Sequence, residues 1–318
     1  MPDEIAASAG GCVVCGPEAP STPFVLTESM FGSGERFDYH RCDVCGSMQI
    51  DVVPEDLARH YDPGLYSSFN VPDVIGPRWQ GSRTVRALWA LRGRVHLATG
   101  LAGTGMPWLR EAGAKQGDRV LDLGCGDGHE LSRMRKLGFR RLEGADPFLD
   151  VPEKTINGVR IVKAYHQDLP VDSRYDLVVM HHAFEHVPDP RATLRSVRRV
   201  LAEGGSLLVR MPVMGQEAWD EYGVDWAQLD PPRHLVVYTL DGARRLFEEE
   251  GFRVVRTFFD SHAYQFVWSD MVRRGIPFAD AAAQDVDPDR LAGWEQRAAR
   301  LNAEGRGDQA GYVLEPLR

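Results

Sequence analysis

The sequence predicts an α/β fold: a doubly wound sheet of seven strands behind a small N-terminal module that holds cysteines. Three observations carry this expectation. Apolar strand-like runs alternate with helical segments from Asp118 onward. A glycine cluster, Gly124-Cys125-Gly126-Asp127-Gly128, falls between a strand and a helix. Two C-x-x-C-G turns, Cys12-Val13-Val14-Cys15-Gly16 and Cys42-Asp43-Val44-Cys45-Gly46, lie in the first 60 residues.

In chain order, residues 1–60 read as the cysteine module, with Gly/Pro-rich connections. Residues 61–114 read as a mostly helical cap or linker, its best helix over 82–98. Val85, Leu88, Trp89, Leu91 and Val95 form an apolar stripe there, beside basic residues such as Arg92. Gly100 to Pro107 is a break. Residues 119–123 form a short apolar strand, 130–137 a helix and 141–145 a second strand that ends at Asp146. A third strand spans 159–164. Residues 175–180 read as an apolar run interrupted only by Asp176, as expected for a strand buried on both faces. A helix over 190–201 stops at Gly204-Gly205, and a fifth strand follows at 206–210. Residues 240–250 form a helix closed by Gly251, and 252–259 a sixth strand. Helices at 264–274 and 290–301 belong to an insertion over 262–304. Residues 309–314 supply the last strand. The main domain is therefore 115–318, with a long loop at 211–237.

Composition bounds the function. With 43% hydrophobic and 26% charged residues, the 318-residue chain is ordinary globular protein. No apolar run approaches the roughly 18–20 residues of a membrane span. The first ten residues carry Asp3 and Glu4 and no basic residue, so they do not read as a signal peptide, and the chain is expected in the cytoplasm. Ten acids against Arg36, Arg41 and Arg59 give residues 1–60 a charge of −7. Six arginines against Asp62 and Asp73 give residues 61–110 a charge of +4. A nucleic-acid partner would ask for a basic footprint, and the module is acidic.

The three glycines of the cluster let the backbone turn sharply and approach a ligand that a Cβ would repel. Asp122 stands inside the preceding strand end. Asp146 closes the next strand, 22 residues after Gly124, where a ribose diol would be hydrogen-bonded. LDLGCGDG, followed by ADPF and by YDLVVMHHAFEHVPDP, resembles the class I S-adenosylmethionine-dependent methyltransferases, over roughly 115–318. The resemblance implies a Rossmann-like seven-stranded domain with S-adenosyl-L-methionine as cofactor. It implies that Asp122 and Gly124, Cys125, Gly126 and Gly128 hold the amino-acid end, and that Asp146-Pro147 takes the ribose. Tyr165, His166 and Gln167 correspond to the adenine-side loop, with Tyr165 where relatives often have an acid. His181 completes the expected cofactor set.

His181-His182-Ala183-Phe184-Glu185-His186 follows the fourth strand, at the carboxyl edge where the methyl group would be delivered. His182-x-x-Glu185-His186 also matches the H-x-x-E-H of inverted zinc peptidases, but the glycine loop before it argues against that chemistry. Two functional readings stay open beside a purely structural turn. A histidine among His181, His182, His186 and His234 acts as general base. Alternatively the cluster holds a divalent ion; some O-methyltransferases of the ubiquinone pathway have a similar E-x-x-E-H here, with His182 at the place of the first Glu. The 211–237 loop contributes Tyr222, Trp226, Arg233 and His234 as acceptor-site candidates, together with Glu185. DPPRH followed by YTLDGARRLFEEEGF resembles a subgroup of bacterial methyltransferases of sugar and secondary-metabolite pathways.

Each C-x-x-C-G places two thiolates on one tight turn. Two such turns supply the four-thiolate tetrahedron that structural Zn²⁺ prefers, on Cys12, Cys15, Cys42 and Cys45. Such a metal folds a segment too small to bury its own core. The expectation is a methyltransferase acting on a small-molecule acceptor such as a sugar, a sugar nucleotide or a secondary metabolite. Two rivals remain at this point: an RNA methyltransferase with a zinc-binding N-terminus, and a non-catalytic zinc-ribbon docking protein. The oligomeric state is unspecified.

Overall fold

The computed structural model describes residues 11–61, 82–101, 103, 105–170, 172–278, 280 and 286–317. The helix expected over 82–98 is present, whereas residues 62–81 of the expected cap and 281–285 of the expected insertion lie outside the described residues. The strands are β1 (Ser21–Thr27), β2 (Arg36–Cys42), β3 (Met48–Ile50), β4 (Arg119–Leu123), β5 (Arg141–Ala145), β6 (Glu153–Ile156), β7 (Val159–Val162), β8 (Tyr175–His181), β9 (Leu201–Met214), β10 (Val236–Thr239), β11 (Phe252–Phe259) and β12 (Gln309–Pro316). The helices are α1 (Arg83–Thr99), α2 (Trp108–Glu111), α3 (His129–Lys136), α4 (Pro190–Val200), α5 (Glu217–Tyr222), α6 (Leu240–Glu249), α7 (Tyr264–Arg273) and α8 (Pro288–Ala303).

Seven strands make the main sheet, in the order β7-β5-β4-β8-β9-β12-β11. The steps from β7 through β9 are parallel. β12 runs antiparallel to both β9 and β11, so the sheet is mixed rather than wholly parallel. The reversal follows from connectivity: β12 returns after α7 and α8 and fills the gap between β9 and β11. Successive residues face opposite sides of the sheet. Leu121, Val178, Leu207 and Val209 pack with Leu194, Val197, Leu246 and Phe247 on one side. Val120, Leu142, Val179 and Leu208 pack with Leu131 and Met134 on the other.

Two additions change how the site is built. β6 forms a hairpin with β7 through Asn157 (φ 53°) and Gly158 (φ 76°). β9 is longer than the expected strand: Leu207 to Pro212 pair with β12, while Val213 and Met214 pair with β10. β10 also pairs antiparallel with β3, so the cysteine module's β1-β2-β3 sheet is continuous with the main sheet. Among the described residues no helix is long and apolar enough to cross a membrane.

Candidate functional site

β4 delivers the chain into a turn whose Gly124, Gly126 and Gly128 have φ of 85°, 52° and 80°, a region that disfavours any Cβ. Space excludes side chains as well: a Cβ at Gly124 would stand 2.5 Å from the Ala183 Cβ, and one at Gly128 would stand 2.3 Å from Ile161 Cδ1. Asp146, just beyond β5, accepts the Gly126 N–H at 2.8 Å and the Phe148 N–H at 2.9 Å. Burial pushes its carboxyl up, and those two N–H groups partly offset this. Asp122 is 3% exposed and its Oδ1 has no hydrogen-bond partner. Burial first, then Glu130 and Asp146, push its carboxyl up to about 8. A buried orphan acid oxygen beside a positive-φ turn fits the cationic amino group of an amino-acid-like ligand.

The remaining residues expected around a cofactor are spread along the same edge. Cys125 Sγ packs under β5, 2.7 Å from where a Cβ on Gly144 would sit, and burial pushes its thiol up. Pro147 lies next to Asp146 and is half-buried, whereas Tyr165 and Gln167 are exposed. His166 Nδ1 lies 3.1 Å from Ser196 Oγ on α4, so its ring turns toward the helix.

At the end of β8 the histidines form two groups joined by His182, whose Nε2 lies 3.3 Å from Arg210 Nη1 and whose ring meets that of His181 edge to face at 5.1 Å. His181 Nε2 accepts from Arg210 Nη1 at 2.6 Å, and Arg210 Nε donates to Asp260 Oδ2 at 2.5 Å. Burial, then the Arg210 charge, hold His181 well below the ordinary imidazole range. His181 and Arg210 line a cavity of about 250 Å³ with Trp108, Glu130, Arg133, Asp260 and His262. None of these last five nor Arg210 was singled out from the sequence. Arg210 and Asp260 were findable in principle, because Arg210 closes the expected fifth strand and Asp260 directly follows the sixth.

The second group surrounds Glu185, which is fully buried. His182, in the left-handed region at φ 50°, brings Nδ1 to 3.4 Å from Glu185 Oε1. His234 Nε2 lies 3.9 Å from the same oxygen. The His186 and His234 rings meet edge to face with centroids 4.7 Å apart. His186 Nδ1 is 2.7 Å from the Arg233 carbonyl oxygen and 3.0 Å from the Tyr61 hydroxyl. Burial tends to raise the Glu185 carboxyl, but His182, His186 and His234 outweigh it and leave it near 2. Burial and His234 push His186 down to about 4.

Three acceptor-site candidates are engaged internally. Arg233 is 0% exposed, gripped by Asp230 and, at 3.0 Å, by Glu28 of the cysteine module. Trp226 is buried, with Nε1 donating to Asp308 Oδ2 at 2.9 Å. Tyr222 packs beneath the Arg273 guanidinium. These three support the loop from within rather than facing the cavity.

The four module cysteines bring their sulfurs within 4.8 Å of one another. Cys12 Sγ and Cys45 Sγ stand 3.6 Å apart, close to the roughly 3.8 Å edge of a tetrahedron with metal–sulfur bonds of about 2.3 Å. Gly16 and Gly46 have φ of 96° and 76°, as knuckle turns require. This donor set fits Zn²⁺.

A family model described as a methyltransferase domain matches residues 102–257. The chain is 33% identical over 115 residues to the ubiquinone biosynthesis O-methyltransferase of Bordetella avium, a match over 31% of this chain and 45% of that protein. It is 30% identical over 137 residues to an uncharacterized 37.1 kDa protein in a Streptomyces fradiae transposon, over 40% of this chain and 38% of that protein. The match thus spans less than half the length of either relative. Among solved structures, the YcgJ protein of Bacillus subtilis aligns with a TM-score of 0.43 and 21% identity, over 66% of this chain and 95% of that one.

Proposed function

We propose that this chain is a class I S-adenosylmethionine-dependent methyltransferase, a reading its methyltransferase-domain match supports, and that it methylates a small-molecule acceptor with S-adenosyl-L-methionine as donor. The observation that carries this reading is the crevice at the end of β4: the glycine turn, Asp146 beside it, and the orphaned oxygen of Asp122 beneath it. When bound, the cofactor supplies an electrophilic sulfonium methyl. Asp122 holds the ammonium end and Asp146 the ribose hydroxyls, with the loop amides around them. The polar cavity lined by Trp108, His181, Arg210 and His262 receives the acceptor. His182 takes the acceptor proton. Its side chain is 33% accessible, and Glu185 lies on its Nδ1 side. The rate comes mainly from positioning an already reactive methyl group against a nucleophile. The acceptor is of the sugar, sugar-nucleotide or secondary-metabolite kind, on the resemblance of the DPPRH loop and the helix after it. The cysteine quartet holds one structural zinc.

Calorimetry with S-adenosylhomocysteine tests the core of this. Asp146→Ala should weaken binding by about 1–3 kcal/mol, because it removes the partner of buried hydroxyls. Binding of wild-type strength in that variant would overturn the assignment of the crevice.

A further inference from the structure

We propose that the cavity beside His181 binds its acceptor through a carboxylate or phosphate group, and that Arg210 is the residue that selects for it. The inference rests on the reading that this cavity receives the acceptor, and it narrows the acceptor to an acid. Arg210 lies in β9, lines the cavity and is only 9% exposed. A guanidinium carries five N–H donors in a fixed fork. Nε donates to Asp260 Oδ2 at 2.5 Å, and Nη1 donates to His181 Nε2 at 2.6 Å and lies 3.3 Å from His182 Nε2. Burial, then the Arg210 charge, keep His181 neutral, so its Nε2 can accept. The two N–H groups of Nη2 have no hydrogen-bond partner among the described residues. Charged donors left unpaired in a largely buried group are costly, and a ligand in the cavity relieves that cost.

The acids of the cavity are already engaged. Asp260 accepts Arg210 Nε on Oδ2 and Gln309 Nε2 on Oδ1, the latter at 2.6 Å. Glu130 accepts Arg133 Nη1 on Oε1 at 2.7 Å, and its Oε2 is buried. The charges of Arg210 and Arg133 cancel those of Asp260 and Glu130 in sum, so the atoms left open decide what binds. Beside Nη2, His262 lines the same cavity, and neither of its ring nitrogens has a hydrogen-bond partner among the described residues, which leaves it an N–H to give. An oxyanion meets these donors with charge-assisted hydrogen bonds, the geometry for which a guanidinium is suited. A neutral hydroxyl accepts from Nη2 more weakly, and its own proton would meet carboxylate oxygens that already hold donors. Because Arg210 stands 3.3 Å from His182, an acid held there lies beside the histidine that takes the acceptor proton.

Calorimetry with matched ligands tests this on the zinc-loaded full chain carrying S-adenosylhomocysteine. The probes are benzoate and phenyl phosphate, with benzamide and benzyl alcohol as their neutral counterparts. An acid should bind about 10-fold or more tightly than its counterpart, and the better of the two acids distinguishes a carboxylate-bearing from a phosphate-bearing acceptor. Arg210→Gln should abolish that preference while leaving the neutral ligand and S-adenosylhomocysteine bound as in the wild type. Should this variant misfold, Arg210→Lys, which keeps the charge but removes the Nη2 donors, should lower the same acid-to-neutral ratio. Neutral ligands that bind as tightly as the acids, a wild type that binds neither acid, or an unchanged ratio in a folded Arg210 variant would overturn the acid site. The titrations are repeated without cofactor, so a wild type that fails to bind S-adenosylhomocysteine sinks the methyltransferase reading separately.

Discussion

Asp122 makes the crevice sensitive to pH. Its carboxyl stands near 8 in the unliganded fold, so it is mostly protonated at neutrality, yet an ammonium ligand requires the carboxylate. Cofactor affinity should therefore rise with pH toward about 8, and binding near pH 7 should release a proton. Calorimetry in two buffers of different ionisation heat reads that proton directly; equal heats would count against the role. The same group has a stability consequence of definite sign. A carboxyl raised from its ordinary range stabilises the fold most below about pH 4, and that stability is lost as pH climbs through about 8. Unliganded protein should melt lower at pH 8 than at pH 6, and Asp122→Asn should flatten the difference. At the methyl-transfer end, His182→Ala should lower kcat by about 10²–10⁴ with S-adenosylhomocysteine affinity nearly unchanged. Turnover close to wild type in that variant would leave positioning as the whole mechanism. The sequence made these residues visible to different degrees. Asp122, Asp146 and the histidines announce themselves through motif and strand order. The internal engagement of Arg233 and Trp226 does not, because Glu28 and Asp308 are 205 and 82 residues away in the chain.

At the scale of elements, legibility followed how much of each segment's stability is local. β4 and β5 appear at the residues expected, since short apolar runs between turn signals have few alternatives. α6 carries its own start signal: Thr239 caps it by accepting the Gly242 N–H. β6 escaped notice although Asn157-Gly158 is a strong hairpin signal; its strand Glu-Lys-Thr-Ile is mostly polar and half-exposed. β10 could not be read locally, because four residues become a strand only by pairing with β9 and β3. The buried central strands set the stability. Leu208 is fully enclosed between α3-side residues and β12, so Leu208→Ala should cost about 2–5 kcal/mol in denaturant unfolding. A loss under 1 kcal/mol would mean that the two layers close over the cavity.

At the scale of the molecule, the module and the main domain share backbone. β3 pairs with β10, the Tyr39 hydroxyl donates to the His234 carbonyl at 2.9 Å, and Thr239 Oγ1 donates to the Cys45 carbonyl at 2.6 Å. Loss of the metal expected on the quartet should reach the loop that carries His234. Cys42→Ser should lose zinc by elemental analysis and raise amide hydrogen exchange across 228–239; protection there equal to wild type would mean that the two parts are independent. The shared sheet also fixes an order of events during synthesis. β3 is made long before β10, since Met48 pairs with Val237, 189 residues downstream. Until that segment leaves the ribosome, β3 offers bare amides and carbonyls to any neighbouring chain, the usual invitation to aggregation. A knuckle closing on the zinc proposed for the quartet, within the first 45 residues, would keep the nascent module folded through that wait, so metal supply during translation should then govern how much of the chain reaches its native state.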